Sequence, residues 1–117
     1  MKDYIPTILI DFDGVVHSYT GWNDGKLNGP IPNAKEAIIE LQQSYKVVIF
    51  STRNKEQIEP WLKEYQFPSD LIVTNEKVPA IVLVDDRAIK FQGIWNNELI
   101  LEIKNFSPYW ETEGRIL

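Results

Sequence analysis

Ile8-Leu9-Ile10-Asp11-Phe12-Asp13-Gly14-Val15-Val16-His17 is an apolar run that stops abruptly in two carboxylates two residues apart. A strand covered on both faces, delivering charge to the mouth of a sheet, has this pattern. Side chains alternate along a strand, so Asp11 and Asp13 are expected to lean to one side and Phe12 to the other. Two acids sharing a small space repel unless a cation neutralises them or one holds a proton, which would raise the proton affinity of Asp13. Gly14 supplies the freedom to turn sharply after the second acid.

Working outward, the 117 residues suit one domain, 1–117, with nothing left over for a second. Hydrophobic content of 44% and charged content of 25% are those of a globular chain. The formal net charge of -5 argues against duplex nucleic acid as a partner, since that needs a basic face. With no Cys and one His, disulfides, thiolate metal sites and multi-His zinc sites are excluded. Met1-Lys2-Asp3-Tyr4 has no signal-peptide character and no run approaches membrane-spanning length, so a cytoplasmic protein without membrane contact is expected.

The first strand is expected from about Thr7 to Asp11. A polar, aromatic and glycine-rich flap follows at 17–32, holding Tyr19 and Trp22, too short for a cap domain. Asn33 and Glu36 have the spacing of a capping box and open a helix ending near Ser44. Lys46 to Ser51 reads as a second strand. Asn54 and Gln57 repeat the capping spacing before the stripe Ile58, Trp61, Leu62, Tyr65, in a helix that Pro60 must delay or kink. Leu71–Thr74 is a third strand and Ala80–Asp86 a fourth, again ending in acids. Residues 97–106 fit a final helix, with an edge strand as the alternative.

Strands alternating with helices imply an α/β fold, a three-layer, Rossmann-like, doubly wound parallel sheet. With strand order 3-2-1-4, the switch point falls between strands one and four, and ligands of open sheets bind there. Those strands end in Asp11-Phe12-Asp13 and Asp85-Asp86. Acids so crowded call for a hard divalent cation, with Mg²⁺ the default.

Asp11-Phe12-Asp13-Gly14-Val15, Ser51 closing Val47-Val48-Ile49-Phe50, Lys77, and Asp85-Asp86 together resemble the haloacid dehalogenase-like (HAD) hydrolase superfamily, in order, spacing and strand-end placement. Most of its members are Mg²⁺-dependent phosphatases, and small uncapped bacterial and phage members are the nearest in motif. The resemblance implies that Asp11 is the nucleophile, forming an aspartyl phosphate. It makes Asp13 the general acid and base, its backbone carbonyl also a metal ligand. Asp85 would ligate Mg²⁺, with Asp86 a second or water-mediated ligand. Ser51, for which Thr52 is an alternative, and Lys77 would bind the phosphoryl oxygens. Arg53 and Arg87 read as makers of structural ion pairs or helix contacts, with the alternative that Arg53, close to Ser51, touches a distal anion of the substrate. His17 is a candidate for assisting substrate or proton transfer beside its reading as a flap histidine.

A receiver-like phosphoacceptor module shares the acids, hydroxyl and Lys, but there the acidic pair ends the first strand. A calcium loop starting at Asp11 lacks the third acid and closing Glu. A catalytically silent binding protein on the same fold is the remaining alternative. An uncapped site is expected to be open, suiting a small phosphomonoester, a nucleotide or a polynucleotide end, or closure by another copy in a homo-oligomer; Tyr19 and Trp22 offer stacking surfaces for a base.

Overall fold

The computed structural model describes residues 4–111. Its elements run β1 (Thr7–Asp11), α1 (Ala34–Leu41), β2 (Lys46–Phe50), α2 (Lys55–Glu64), β3 (Ile72–Thr74), β4 (Val82–Val84) and α3 (Asn97–Lys104). The four strands form one parallel sheet in the order β3-β2-β1-β4. This is the α/β, Rossmann-like order expected from the sequence. No helix among the described residues is long and apolar enough to cross a membrane.

Register decides which side chains meet. Ile8 pairs with Val47, and Ile10 with Ile49, which pairs with Val73. These residues therefore share one face, where Ile38 of α1 and Ile58, Trp61 and Leu62 of α2 complete a buried core with Phe12, Val16 and Phe67. Burial of this kind is worth roughly 1.5–3 kcal/mol per large side chain, so this layer carries most of the fold. The opposite face is thinner than a three-layer expectation implies. Leu9 and Val48 are buried there, but no residue of α3 is.

Four local expectations are corrected. Asn33 does not cap α1 through its side chain, because it is left-handed (φ 71°) and the chain enters through a turn in which Ala34 N–H donates to Ile31 O. The regular part of α1 ends at Leu41, and short-range bonds such as Ser44 N–H to Leu41 O wind on to Ser44. Pro60 does not delay α2, which starts at Lys55 behind the Asn54 cap with the proline inside it. Pro60 and Glu56, whose carbonyl loses the bond that Pro60 cannot donate, are both exposed, so water can satisfy that group. The fourth strand is also shorter than 80–86, as β4 is paired only to β1.

Candidate functional site

Phe12 N–H donates to Phe50 O, so pairing persists one residue past β1 before the chain turns. Val16 N–H and His17 N–H then both donate to Phe12 O, and Gly14, at φ 83°, donates to His17 O. Strand alternation stops in this turn, and with it the reason for Asp11 and Asp13 to stay together. The two acids go separate ways.

Asp11 meets Asp85 and Asp86. One carboxylate oxygen from each lies within 4.8 Å of the others, where β1 and β4 end side by side. Asp86 is held by the indole N–H of Trp110, which donates to its Oδ2, while its Oδ1 is buried with no hydrogen-bond partner. Asp85 Oδ1 accepts from Arg87 N–H at 2.7 Å. Burial, a hydrogen bond with Asp86, and the charges of Asp85, Asp86 and Asp13 push Asp11 up to about 8. An orphaned buried oxygen beside a carboxyl that resists ionising is a site short of positive charge, and a hard cation fits that donor set.

Asp13 has the reverse surroundings. Arg53 Nε donates to both its oxygens, at 3.0 and 2.8 Å, and His17 Nδ1 lies 2.8 Å from Oδ1. Burial pushes Asp13 up, but the bonds from His17 and Arg53 outweigh it, and its pKa falls below the ordinary value of 3.8. The expected rise through proximity to Asp11 is thus overturned: the raised acid is Asp11. The carboxylate of Asp13 is likewise outside the three-acid cluster.

His17 is corrected as a substrate contact. It is 1% exposed, and its Nε2 accepts from Asn28 N–H at 2.8 Å, so that nitrogen carries no proton and Nδ1–H donates to Asp13. It stacks on Phe12 with ring centroids 5.2 Å apart and packs edge-on to Trp61. Its place is behind Asp13, as the group that aims it.

A cavity of about 560 Å³ opens above these acids, lined among others by Asp11, Asp13, Ser51, Thr52, Arg53 and Asp85. Ser51 Oγ accepts from Arg53 N–H at 3.0 Å, which leaves the hydroxyl hydrogen free to donate into the cavity. Asn75 fixes this loop by donating from Nδ2 to the carbonyls of Ser51 and Arg53, each at 2.7 Å. Lys77 is exposed and does not line the cavity; Arg87 does. The cations that line the cavity are Arg53 and Arg87.

The flap at 17–32 does reach the mouth. Its base is tied by Ser18 N–H to Gly29 O and Ile31 N–H to Val16 O, and Trp61 Nε1 donates to Asn28 O at 2.8 Å. From this frame Tyr19 and Trp22 line the cavity, with the Arg53 guanidinium 5.9 and 5.1 Å from their ring centroids. Trp22 is 67% exposed, leaving much of its ring open.

Residues 109–111 close the far side. Tyr109 O–H donates to Gly14 O at 2.6 Å, and the Arg87 guanidinium lies 5.0 Å from the Trp110 ring centroid. A Cβ at position 14 would stand 2.3 Å from Asp86 Oδ2 and 3.0 Å from Trp110 Nε1. Glycine is required there for space as well as for backbone conformation. Asn75, Arg87, Tyr109 and Trp110 were not singled out as site residues by the sequence. The pairing of Asp85-Asp86 with a following Arg was the only visible signal for any of them.

No protein-family model and no curated protein matches this chain. A solved structure of a conserved protein coded by a locus of Bacteroides thetaiotaomicron is similar, with a TM-score of 0.58, 23% identity, and coverage of 86% of this chain and 90% of that one. At that identity the likeness speaks for the fold alone: this chain has a parallel, Rossmann-like α/β architecture.

Proposed function

We propose that this protein is a Mg²⁺-dependent phosphomonoester hydrolase of the HAD-like kind, with Asp11 as nucleophile. The observation that carries the reading is the convergence of Asp11, Asp85 and Asp86, with an unpartnered buried oxygen on Asp86, at the switch point of the sheet. Asp11, Asp85 and Asp86 would hold the cation, with the backbone carbonyl of Asp13 a further ligand on the family resemblance. Bound there, a divalent cation supplies charge neutralisation for an incoming phosphoryl group and for the acids themselves.

An Asp11 oxygen attacks phosphorus, the bond to the leaving oxygen breaks, and that oxygen takes a proton from Asp13. Water then attacks the aspartyl phosphate, passing a proton to Asp13 as the Asp11–phosphorus bond breaks and releases phosphate. Ser51, with Thr52 at the rim, donates to the phosphoryl oxygens, and Arg53 and Arg87 supply positive charge. Asp13 is poised for the second half as it stands. For the first half it must first take up a proton from solvent, and an arriving phosphoryl anion that draws the Arg53 guanidinium away from Asp13 makes that uptake easier.

The leaving group we favour is a nucleoside, free or at a polynucleotide end. Trp22 and Tyr19 support this by placing aromatic faces at the cavity, with the amides of Asn54 and Gln57 beside them. A panel of phosphomonoesters assayed with Mg²⁺, in wild type and Asp11→Asn, tests the reading. Turnover lost in the variant and in excess chelator is expected; retained turnover in either would sink it. If nucleoside monophosphates rank no better than sugar phosphates, or Trp22→Ala leaves their KM unchanged, the nucleoside part fails alone. Multiple turnover also separates an enzyme from a receiver-like module, which would stop at the phosphoprotein.

A further inference from the structure

We infer that a second cleft, beside the acids, binds a free α-amino acid with an apolar side chain, and that this ligand and a bound phosphoryl group exclude one another through Arg87. The exclusion rests on the hydrolase reading above; the cleft does not. Two stretches supply its walls. The chain leaving Asp86 contributes Arg87 and Ile89, and the stretch 106–111 contributes Phe106, Pro108 and Glu111. The cleft measures about 400 Å³, a size suited to a small molecule, and its lining is apolar apart from the two charged residues.

The two charges decide what fits. Glu111 Oε1 is buried and has no hydrogen-bond partner among the described residues. A carboxylate with one oxygen shut off from water and from every donor is short of compensation, and a cation in the cleft is the direct remedy. Arg87 lines the same cleft without meeting that need. Its guanidinium lies over the Trp110 ring, 5.0 Å from the centroid, and among the described residues it forms no ion pair with Glu111. A ligand must therefore offer a cation to Glu111, an anion to Arg87 and an apolar body to Ile89, Phe106 and Pro108. An amino acid with a branched or aromatic side chain carries all three on one carbon. A simple amine or a fatty acid leaves one charge of the cleft unanswered, and a phosphate ester sets a second anion against Glu111.

Arg87 also lines the cavity above the acids. A guanidinium drawn to a carboxylate in the cleft is turned away from a phosphoryl group in the cavity, so filling one space weakens the other. The backbone ties the two spaces together as well. Glu111 follows Trp110, whose indole N–H holds Asp86, and Arg87 N–H donates to Asp85 Oδ1. The cleft is thus built on the same two segments that hold the acids, which makes it a regulatory site for the chemistry beside it.

Calorimetric titration of L-leucine and of glycine into the full, metal-free chain tests the cleft without any assay of activity. Leucine is expected to bind, and glycine, which has the charges without the apolar body, to bind about tenfold more weakly or worse. Glu111→Gln keeps the shape and removes the charge, and should weaken leucine by about tenfold with an unchanged far-ultraviolet circular dichroism spectrum. Ile89→Asp, which puts a charge into the apolar wall, is the second variant and should do the same should Glu111→Gln lose its fold. A wild type that binds no leucine, glycine that binds as well as leucine, or leucine binding that survives both variants would each overturn the site. Inorganic phosphate with Mg²⁺ should in turn weaken leucine by about tenfold. Phosphate that binds by itself yet leaves the affinity for leucine unchanged overturns the exclusion, whereas phosphate that does not bind at all counts against the hydrolase reading, and the leucine titration still decides the cleft.

Discussion

Asp11 and Asp13 are separated by one residue and live under opposite conditions. Asp13 is well supplied with donors, Arg53 Nε to both its oxygens and His17 Nδ1–H to one of them. Asp11 faces two further acids, with a raised pKa and an unpartnered oxygen on its neighbour. Identical side chains at the end of one strand are thus tuned apart by what the rest of the chain brings to them, one held in its charged form and the other pushed toward its protonated form.

The largest expected contrast is in rate. Asp11→Asn should lower phosphomonoester turnover by on the order of 10³-fold or more, since the attacking atom is gone, while Asp13→Asn should cost about 10²–10⁴-fold and leave Mg²⁺ binding in place. Steady-state kinetics with calorimetric titration of Mg²⁺ on both variants checks it. Equal loss of Mg²⁺ binding in the two would merge what the structure separates.

Stability without metal should move in opposite directions. Asp13→Asn strips the partner from a nearly buried arginine and should destabilise by about 3 kcal/mol. Asp11→Asn relieves repulsion and should stabilise by about 1 kcal/mol, allowing for solvent screening. Urea unfolding in chelator measures both signs.

The pH profile sharpens the same contrast. Asp11 has its folded-state pKa raised from 3.8 to about 8, so its contribution to stability is complete below pH 3.8, declines above it, and has gone once pH passes about 8. Asp13, with its pKa lowered, contributes above pH 3.8 and loses that contribution as pH falls through its folded-state value. Melting temperatures across pH in chelator should therefore fall from pH 4 toward 8, and saturating Mg²⁺ should remove that fall by taking the place of the proton. A metal-free profile flat over this range would contradict the assignment to Asp11.

The smallest effect is expected behind the acids. Trp110→Phe keeps the ring but removes the bond to Asp86 Oδ2, and should weaken Mg²⁺ binding by about tenfold. Titration followed by calorimetry reads this without an assay of activity.

The sheet order and the meeting of β1 with β4 were legible because both strands announce themselves as apolar runs ending in acids, and crossover rules leave few topologies. The division of labour between Asp11 and Asp13 was not. It depends on Arg53, forty residues away, whose position is set by a loop that Asn75 clamps. Spacing can say that two acids leave one strand; it cannot say which cation turns toward which. His17 misled for a similar reason, since its burial comes from Phe12, Asn28 and Trp61 together. Lys77 was chosen by order along the chain, and the cavity takes arginines from two other loops instead.

Gly14 touches both Asp86 and Trp110, so three stretches that leave the ribosome far apart in time meet at one point with no room for a methyl group. The sheet and its first two helices contain everything needed for their own core by the time β4 has emerged, but the acidic pocket lacks its last wall until Tyr109 and Trp110 follow. During synthesis, then, the scaffold comes before the acid cluster is complete, and in a nascent chain stalled short of Tyr109 the Asp86 carboxylate would stand without its indole partner.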